Sequence, residues 1–349
     1  MFRLDVKNFI RTIRSKAAAF DWKKIRLPRV SGIFSGLFAF IGSWWHVILV
    51  LLVAFMALYY PIGGLMVNNI NKTTDYEIGS QNEMPSATVN MMAFLINREV
   101  NENLWTPNLP FFFPSYMLDN MPNYQLGIIS GLSTVSQAMA NRLDTGFSTN
   151  EDELHLKNAA KLLAYNGRIW MFSPQNSFSP VPSAHSQYRK ARKQLIKFNQ
   201  NLSSGHTVFY KNPDDLAYFL KRVNRDLLNS LTKVENQVRE ESTSLFDFKA
   251  DDVFYYNQGK MYAYYLLLKT LGNDYKDIIV SQNAYQLWTK SLKSLEDGAV
   301  FDPVLIRNGA LDSITAPNHL QYIAYYMVKT VNLNKNIIAL LEKKPLPKE

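Results

Sequence analysis

The chain has 349 residues, of which 47% are hydrophobic and 13% aromatic, enough apolar material to bury a substantial core. This composition excludes a wholly disordered chain. Because the sequence contains no cysteine, thiol nucleophiles, thiolate metal sites and disulfide bonds are excluded as well.

The net charge of +9 is concentrated near the N-terminus. Residues 1–43 contain nine Lys or Arg and two Asp, which gives +7, whereas the remaining 306 residues carry only +2. A basic tail followed by an apolar stretch and a nearly neutral domain is typical of membrane topology, not of a nucleic-acid-binding surface. We therefore expect no nucleic-acid partner.

The basic tail, residues 1–43, has an amphipathic pattern near its start. This pattern predicts a helix that lies on the anionic cytoplasmic leaflet, so that the lipid bilayer is an expected partner. In the alternative interpretation, the basic residues only fix the orientation of the chain in the membrane. The apolar residues that recur at helical spacing are Phe2, Val6, Phe9, Ile10, Ile13, Ala17 and Phe20.

The next predicted element is a transmembrane helix over residues 44–67. No Lys, Arg, Asp or Glu occurs between residues 30 and 71. A helix over 44–67 rises about 36 Å, more than the roughly 30 Å of a hydrocarbon core. Aromatic side chains that favour the two membrane interfaces flank the densest apolar run: Trp44, Trp45, Tyr59 and Tyr60.

Two other interpretations of this apolar stretch are disfavoured. A cleavable signal peptide would begin nearer to Met1 and would precede a small-residue cleavage site. A buried core helix would not have so long an uncharged window. Residues 31–42 are either an extension of the same helix or an interfacial approach to it. Pro61, Gly63 and Gly64 predict that the helix loosens near its far end.

The charges on the two sides of the span predict its orientation. The basic tail is expected in the cytoplasm, because positively charged segments are retained there. The C-terminal 280 or so residues are then outside. The predicted location is the bacterial inner membrane, with a single pass and a periplasmic C-terminal domain.

Residues 86–342, which follow a polar linker at 68–85, are predicted to form a succession of helices with almost no strand-like alternation. We predict an all-α fold: a membrane-anchored bundle with one N-terminal transmembrane helix and about eight extracytoplasmic helices. In one interpretation of the sequence, the domain consists of two halves joined near residues 172–182. Residues 343–349 form a C-terminal tail.

Local signals indicate where several helices begin. Ser86 is an expected N-cap, and Asn212 is expected to cap a helix whose first residue is Pro213. Ser148 stands three residues before Glu151, which is the spacing of a capping box.

Towards the C-terminus, Gly272 is predicted to end a helix over 251–271, and another helix is expected at about 282–296. The last predicted helix extends from Pro317 to about Glu342.

Five motifs occur in a fixed order in the predicted helical region: LDNMPNYQLG (118–127), PSAHSQYRKARKQL (182–195), FYKNPDDLAYFL (209–220), DDVFYYNQGKMYAYYLLLK (251–269) and APNHLQYIAYYM (316–327). Together they resemble a bacterial family, domain of unknown function 2333. The likeness covers most of residues 85–341, and Ala184 and His185 depart from the family pattern, which has an acidic residue after Pro-Ser. The resemblance implies a helical, single-pass inner-membrane protein of Gram-negative bacteria, and it implies no activity.

The motif LDNMPN is the most unusual local sequence and supplies the first candidate binding residues. Asp119, Asn120 and Asn123 are expected to satisfy backbone N–H groups in a turn fixed by Pro122. In the alternative interpretation, they line a polar groove beside the aromatic run 111–113 and bind a peptide or a glycan.

Six further residues are weaker candidates for the same polar groove. Each has a structural interpretation, as a member of an internal salt bridge, a hydrogen-bonded core group or a helix cap. They are Arg98, Glu99, Tyr188, Arg189, Asn318 and His319.

No catalytic template matches the sequence. Ser230 and Lys233 have the Ser-x-x-Lys spacing of penicillin-binding enzymes, but no Lys-Thr-Gly follows and the serine lies within a predicted helix. The histidines lack the spacing of metal ligands. We therefore expect no catalytic residue, metal or cofactor, although an acid pair that includes Glu99 or Asp119 remains open.

The leading hypothesis is a non-catalytic scaffold or adaptor that binds other envelope proteins. The alternatives are a cell-wall-acting enzyme with paired carboxylates and a lipid- or small-ligand-binding module, and homo-oligomerisation is left open. For an enzyme we expect two carboxylates that converge in a cleft. For an adaptor we expect an exposed apolar patch, and for a lipid binder a deep dry pocket.

Overall fold

The computed structural model of the chain describes residues 32–76, 85–143, 151–172, 180–205, 211–241, 248–303, 305–309 and 317–343. Within these ranges the regular secondary structure is helical, with two isolated β-bridges between single residues. This confirms the predicted all-α fold. The predicted helix near the start of the basic tail and the cap at Ser148 lie outside the described residues, as do parts of the linker 68–85 and of the junction 172–182.

The first helix, α1 (Gly32–Val67), contains the predicted span. Residues 32–42 extend the same helix, and Pro61 lies inside it. The stretch Trp44–Val67 is long and apolar enough to cross a membrane and is the one such helix among the described residues. The prediction that α1 loosens near Pro61 is wrong. Gly63 and Gly64 instead allow close contact with Pro114 and Leu118, because a Cβ on Gly63 would lie 2.5 Å from Cβ of Pro114.

Nine further α-helices follow in the described part of the chain. A π-helical segment, Arg98–Glu102, continues α2, and a 3₁₀ segment, Pro114–Met117, precedes α3. The helices are α2 (Ala87–Asn97), α3 (Asn120–Leu143), α4 (Glu151–Leu163), α5 (Ala184–Ser203), α6 (Pro213–Glu241), α7 (Phe248–Asp274), α8 (Lys276–Ser281), α9 (Tyr285–Val300) and α10 (His319–Leu341).

The contacts divide the chain into two units, residues 1–58 and residues 59–349. In the second unit, α3 packs most extensively on α7, α6 packs on α10, and α4 packs on α5. The core between these helices is unusually rich in buried aromatic side chains, which supply a large apolar area. Those that are less than 2% exposed are Tyr124, Tyr188, Tyr262, Tyr264, Tyr275, Phe198, Phe219 and Phe254.

The contact between α3 and α7 depends on two glycines that face each other's helix. A Cβ at Gly127 would lie 2.0 Å from the carbonyl oxygen of Tyr256, and one at Gly259 would lie 2.1 Å from that of Tyr124. Since real Cβ atoms do not approach backbone this closely, only glycine allows the two helices to meet at this distance. Two of the motifs that resemble the bacterial family therefore meet at this crossing.

Gly272 does not end a helix, contrary to the prediction, because α7 continues to Asp274. The residue is required for packing, since a Cβ there would lie 2.5 Å from the indole nitrogen of Trp288. The sequence could not distinguish a glycine at a helix end from a glycine beneath an aromatic ring.

Three helix caps have the expected side-chain contacts. The Ser86 side chain accepts a hydrogen bond from the backbone N–H of Val89. Oδ1 of Asn212 accepts from the N–H of Asp215 at 2.8 Å, which confirms the cap before Pro213. The last helix begins two residues later than predicted, at His319, because Asn318 is its N-cap.

The segment 69–76, which follows α1, is attached to the bundle through its carbonyl groups. The hydroxyl of Tyr124 donates to the carbonyl of Asn71 at 2.9 Å, and that of Tyr262 donates to the carbonyl of Thr73 at 2.6 Å. Lys269 donates to the next carbonyl at 3.2 Å. Much of the described part of the predicted linker 68–85 is thus held on the bundle by hydrogen bonds.

Candidate functional site

An open cleft of about 560 Å³ lies where α3 meets α7. Residues of α3 and the first turns of α7 line two of its sides, and the loop 164–168 after α4 lines another. Tyr188 of α5 and Lys233 of α6 complete the lining. The cleft is lined by amides, hydroxyls and charged groups in addition to aliphatic side chains, so it is suited to a polar ligand.

A hydrogen-bonded chain of three side chains crosses the cleft. Nη2 of Arg168 donates to Oδ1 of Asn123 at 2.9 Å, and Nδ2 of Asn123 donates to Oδ1 of Asp252 at 2.5 Å. Asn123 thus links a cation to a carboxylate and is held in one orientation by both. The remaining N–H groups of the exposed Arg168 side chain are available to a ligand in the cleft.

Three buried side chains hold the loop that carries Arg168. The indole N–H of Trp105 donates to the carbonyl of Gly167 at 3.0 Å. Nδ2 of Asn108 donates to the carbonyl of Ile169 at 2.8 Å, and the hydroxyl of Tyr188 donates to that of Tyr165 at 2.8 Å. Because these donors bind backbone carbonyls on both sides of Arg168, the backbone of this residue is fixed at the cleft.

Asp252 is the carboxylate inside the cleft, and its environment disfavours the charged form. Partial burial raises the pKa of Asp252 above its ordinary value, and the nearby carboxylate of Asp119 raises it further. The guanidinium group of Arg168 and the amide of Asn123 oppose this rise. A carboxylate with such a raised pKa in a cleft is a recognised mark of a functional site.

Asn257 supplies a buried hydrogen-bond acceptor without a partner. The residue is 2% exposed, and its Nδ2 donates to the carbonyl of Val253 at 2.7 Å, which fixes the orientation of the amide. Its Oδ1 has no hydrogen-bond partner among the described residues. Because a buried polar atom is unfavourable unless it is paired, this acceptor beside the cleft is a candidate contact for a ligand N–H or O–H.

The predicted groove residues of LDNMPN do not all have the same role. Asn123 lines the cleft. Asp119 stands just before α3, where Oδ1 accepts from the N–H of Asn120 at 2.9 Å, as in the turn interpretation. Asn120 is the first residue of α3, so the helix begins within the motif.

Arg98 and Glu99 do not line the cleft. They are 3% and 2% exposed, and Nη2 of Arg98 lies 2.6 Å from Oε1 of Glu99. Nη1 of Arg98 donates to the hydroxyl of Tyr262 at 2.6 Å, and Nε2 of Gln125 donates to Oε2 of Glu99 at 3.2 Å. Burial alone would lower the pKa of Arg98, but Glu99 and Tyr262 outweigh it and keep the pKa raised.

The other predicted groove residues are distributed over three places. Tyr188 lines the cleft with its ring, 5.1 Å from that of Trp105. Arg189 donates from Nε to Oδ1 of Asn101 at 2.8 Å, and Asn318 caps α10.

His319 is the first residue of α10, and its Nδ1 accepts from the N–H of Arg307 at 3.0 Å. Partial burial and the charge of Arg307 lower the pKa of His319. The contacts of Asn318 and His319 are therefore structural, and neither of these two residues lines the cleft.

The serine of the Ser-x-x-Lys spacing contacts a different lysine. Nζ of Lys260 donates to Oγ of Ser230 at 2.8 Å and lies 2.8 Å from Oδ2 of Asp226. Ser230 and Lys260 are each 3% exposed and neither lines the cleft, so these contacts belong to the core. Lys233 is exposed at the cleft instead.

Sequence reasoning missed Arg168, Asp252 and Asn257. The spacing of Asp252, Tyr256 and Asn257 places them on one face of a helix, and this signal was present in the motif DDVFYYNQGK. Arg168 had no such signal, because it lies in a short loop after α4. Among the described residues, no group of three His, Asp or Glu could hold a metal ion.

Comparison with known proteins agrees with the resemblance seen in the motifs. The family model described as an uncharacterized protein conserved in bacteria, DUF2333, matches residues 106–243 and 229–343. These two matches overlap and contain the whole of the cleft lining. No curated protein and no solved structure matches the chain. Since the matches cover well over half of the sequence, the chain is a member of the DUF2333 family of bacterial proteins.

Proposed function

We propose that the chain is a single-pass protein of the bacterial inner membrane and that its helical domain is a non-catalytic adaptor in the periplasm. In this proposal the cleft binds an extended polypeptide segment of another envelope protein. The basic tail stays in the cytoplasm and contacts the anionic leaflet.

The membrane part of the proposal rests on the apolar helix and the charge distribution. In the most apolar window of Trp44–Val67, 6% of the residues are buried, so most of the apolar surface of the span is uncovered in the described part of the chain. Because lipid is the environment in which such a surface is stable, a bilayer is the expected surrounding. The excess of positive charge before the helix supports a cytoplasmic N-terminus.

The unpaired Oδ1 of Asn257 is the observation that carries the adaptor proposal. This atom is a hydrogen-bond acceptor, whereas the side chains of Arg168 and Lys233, which line the same cleft, are hydrogen-bond donors. A polypeptide main chain presents N–H and C=O groups in alternation, so it matches acceptors and donors that share one groove. Ser130, Ser133 and Thr134 add hydroxyl groups, which adapt to either role.

Site-specific photocrosslinking in intact cells tests the proposal. A photoreactive phenylalanine replaces Lys233 at the cleft or, as the control, the exposed Lys290 of α9. We expect Lys233 alone to capture a defined envelope protein. Arg168→Ala should weaken this capture about tenfold, because a hydrogen bond to a charged group contributes about 1.5–3 kcal/mol.

Arg189→Ala is the matched control, since Arg189 is also exposed but bonds to Asn101 and does not line the cleft. It should leave the capture unchanged. Equal capture from the two crosslinker positions, or equal weakening by the two arginine variants, would contradict a partner that docks in the cleft.

A second candidate, hydrolysis of cell-wall glycan, is favoured by the pair Asp252 and Asp119. The neighbouring carboxylate contributes to the raised pKa of Asp252, and an acid with a raised pKa beside a second carboxyl group is the arrangement of glycosidases. Glu99 is excluded from such a pair because it is buried against Arg98.

The hydrolysis candidate has a direct test. The purified full chain in nanodiscs is incubated with soluble peptidoglycan strands, and new reducing ends are measured. Turnover that Asp252→Asn abolishes would establish the enzyme and overturn the non-catalytic adaptor. If the wild-type chain releases no product, hydrolysis of this substrate is rejected.

A further inference from the structure

An aromatic loop, residues 110–118, packs on the last turns of α1. The hydroxyl of Tyr59 donates to the carbonyl of Phe112 at 3.0 Å, and that of Tyr60 donates to the carbonyl of Phe111 at 2.7 Å. These contacts lie within the unit 59–349. The two tyrosines predicted to mark a membrane interface therefore hold the backbone of the loop.

The side chains of the aromatic loop point into solvent to an unusual degree. Phe111 is 67% exposed, Phe112 50%, Tyr116 60% and Met117 70%. Residues 103–118 contain no Lys, Arg, Asp or Glu. An exposed group of large apolar side chains without charges between them marks an interaction surface or a membrane contact.

Several backbone groups of the aromatic loop are paired within the protein. The N–H of Phe113 donates to Pro110 at 2.9 Å, and the N–H groups of Tyr116 and Leu118 donate to Phe113 and Ser115, both at 3.0 Å. The carbonyls of Phe111 and Phe112 accept the tyrosine hydroxyls described above. Internal pairing of polar backbone groups is the condition for irregular backbone to lie at membrane depth.

The position of the tyrosines along α1 places the loop near the lipid. Counted from Trp44, a hydrocarbon core of about 30 Å is crossed in about 20 residues, that is, near Gly64. Tyr59 and Tyr60 precede that point, so they and the attached carbonyls lie at or just below the boundary of the core. Exposed aromatic side chains at this level favour the headgroup region and the upper acyl chains.

We propose that the aromatic loop 110–118 inserts its exposed side chains into the membrane leaflet in which the far end of α1 lies. The occupant of this apolar surface is lipid, because the loop packs on the far end of the apolar helix, where Ile62 and Leu65 are exposed as well. This inference rests on the proposed membrane span and adds a second, monotopic contact to it. The chain then contacts the bilayer through the loop as well as through the span.

The chain lacks cysteine, so single labels report on single positions. Met117→Cys is coupled to a polarity-sensitive fluorophore in the full chain, reconstituted in nanodiscs of phosphatidylethanolamine and phosphatidylglycerol. Lipids with a nitroxide in the upper acyl chain quench a label that inserts, and iodide quenches a label in water. Leu51→Cys, 63% exposed within the span, is the membrane control, and Val280→Cys, 53% exposed on α8, is the aqueous control.

We expect the label at Met117 to be quenched several-fold more by nitroxide lipid than the label at Val280, and to be protected from iodide. Tyr59→Phe with Tyr60→Phe should reduce this lipid quenching, because the loop loses its hydrogen bonds to α1. Equal quenching at Met117 and Val280, with Leu51 strongly quenched, would overturn the insertion of the loop and leave the span intact. Failure of nitroxide lipid to quench Leu51 would overturn the span itself and the loop inference with it.

Discussion

Two arginines of the helical domain, Arg98 and Arg168, each interact with a carboxylate, yet their surroundings are opposite. Arg98 is 3% exposed and is enclosed by Glu99 and Tyr262. Arg168 is exposed and reaches Asp252 through Asn123. The charges of Arg98 and Glu99 are paired inside the core, whereas those of Arg168 and Asp252 line a cleft that a ligand can enter. Burial and unused hydrogen-bonding capacity, not residue type, separate the structural site from the candidate functional one.

The largest expected effect comes from removing the buried arginine. Arg98→Ala leaves the carboxylate of Glu99 buried without its cation, so we expect the free energy of unfolding to fall by about 3–5 kcal/mol. Arg168→Ala removes an exposed contact and should cost at most about 1 kcal/mol. Chemical denaturation of both variants measures the difference, and similar losses would show that the two arginines do not differ in this way.

The next effect concerns the glycine crossing beneath the cleft. Gly127→Ala places a Cβ against the carbonyl of Tyr256 and forces α3 away from α7, with an expected loss of about 1–3 kcal/mol or more. Gly205→Ala is the comparison, because a Cβ there meets no atom within 4 Å and its cost of about 1–2 kcal/mol comes from the positive φ alone. Thermal unfolding of both variants measures the losses. A Gly127→Ala variant as stable as the wild type would contradict the packing role.

A smaller effect on the free energy of unfolding, of opposite sign, is expected from a substitution inside the cleft. Asn257→Leu removes an unpaired buried oxygen, so the free energy of unfolding should stay constant or rise by about 1 kcal/mol. The same variant should lose the partner captured at Lys233. Denaturation and crosslinking are measured on the same preparation, and a marked loss of stability would show that Asn257 is structural, like the Arg98 network.

The smallest expected effect is a change in the pH dependence of stability. Since burial and Asp119 raise the pKa of Asp252, this carboxyl contributes stability that is fully present below its unfolded pKa of about 4 and is lost as the pH rises through its folded pKa. Asp252→Asn should therefore become more stable relative to wild type as the pH rises from about 4 to 7. Melting temperatures across this range measure it. A wild type that gains stability over the variant with rising pH would contradict the sign.

The sequence predicted the helical fold and several helix starts because those depend on local chemistry. Asn212 before Pro213 and the stripe of apolar residues in α6 need no tertiary information. The resemblance motifs also contained Asn123 and Asp252, which bond to each other. That contact was not predictable, because it spans 129 residues of sequence and depends on how α3 and α7 meet.

The errors have a common physical cause. Gly272, Gly63 and Gly64 were assigned local roles, as helix end or helix breaker, whereas each makes room for a group from another element. Arg98 and Glu99 were equally ambiguous, since an ion pair in a core and an ion pair at a groove have the same sequence. Such distinctions are set by packing partners that lie far away in the chain.

The glycine contact between α3 and α7 has a consequence for the rate at which a ligand associates with the cleft. Where backbone meets backbone, no rotamer can change, so two sides of the cleft have a spacing that is set before any ligand arrives. A preorganised groove of this kind loses little conformational entropy on association, and most of the ordering falls on the incoming chain. Association at this site should then follow one exponential phase whose observed rate is proportional to the ligand concentration, without a slow opening step.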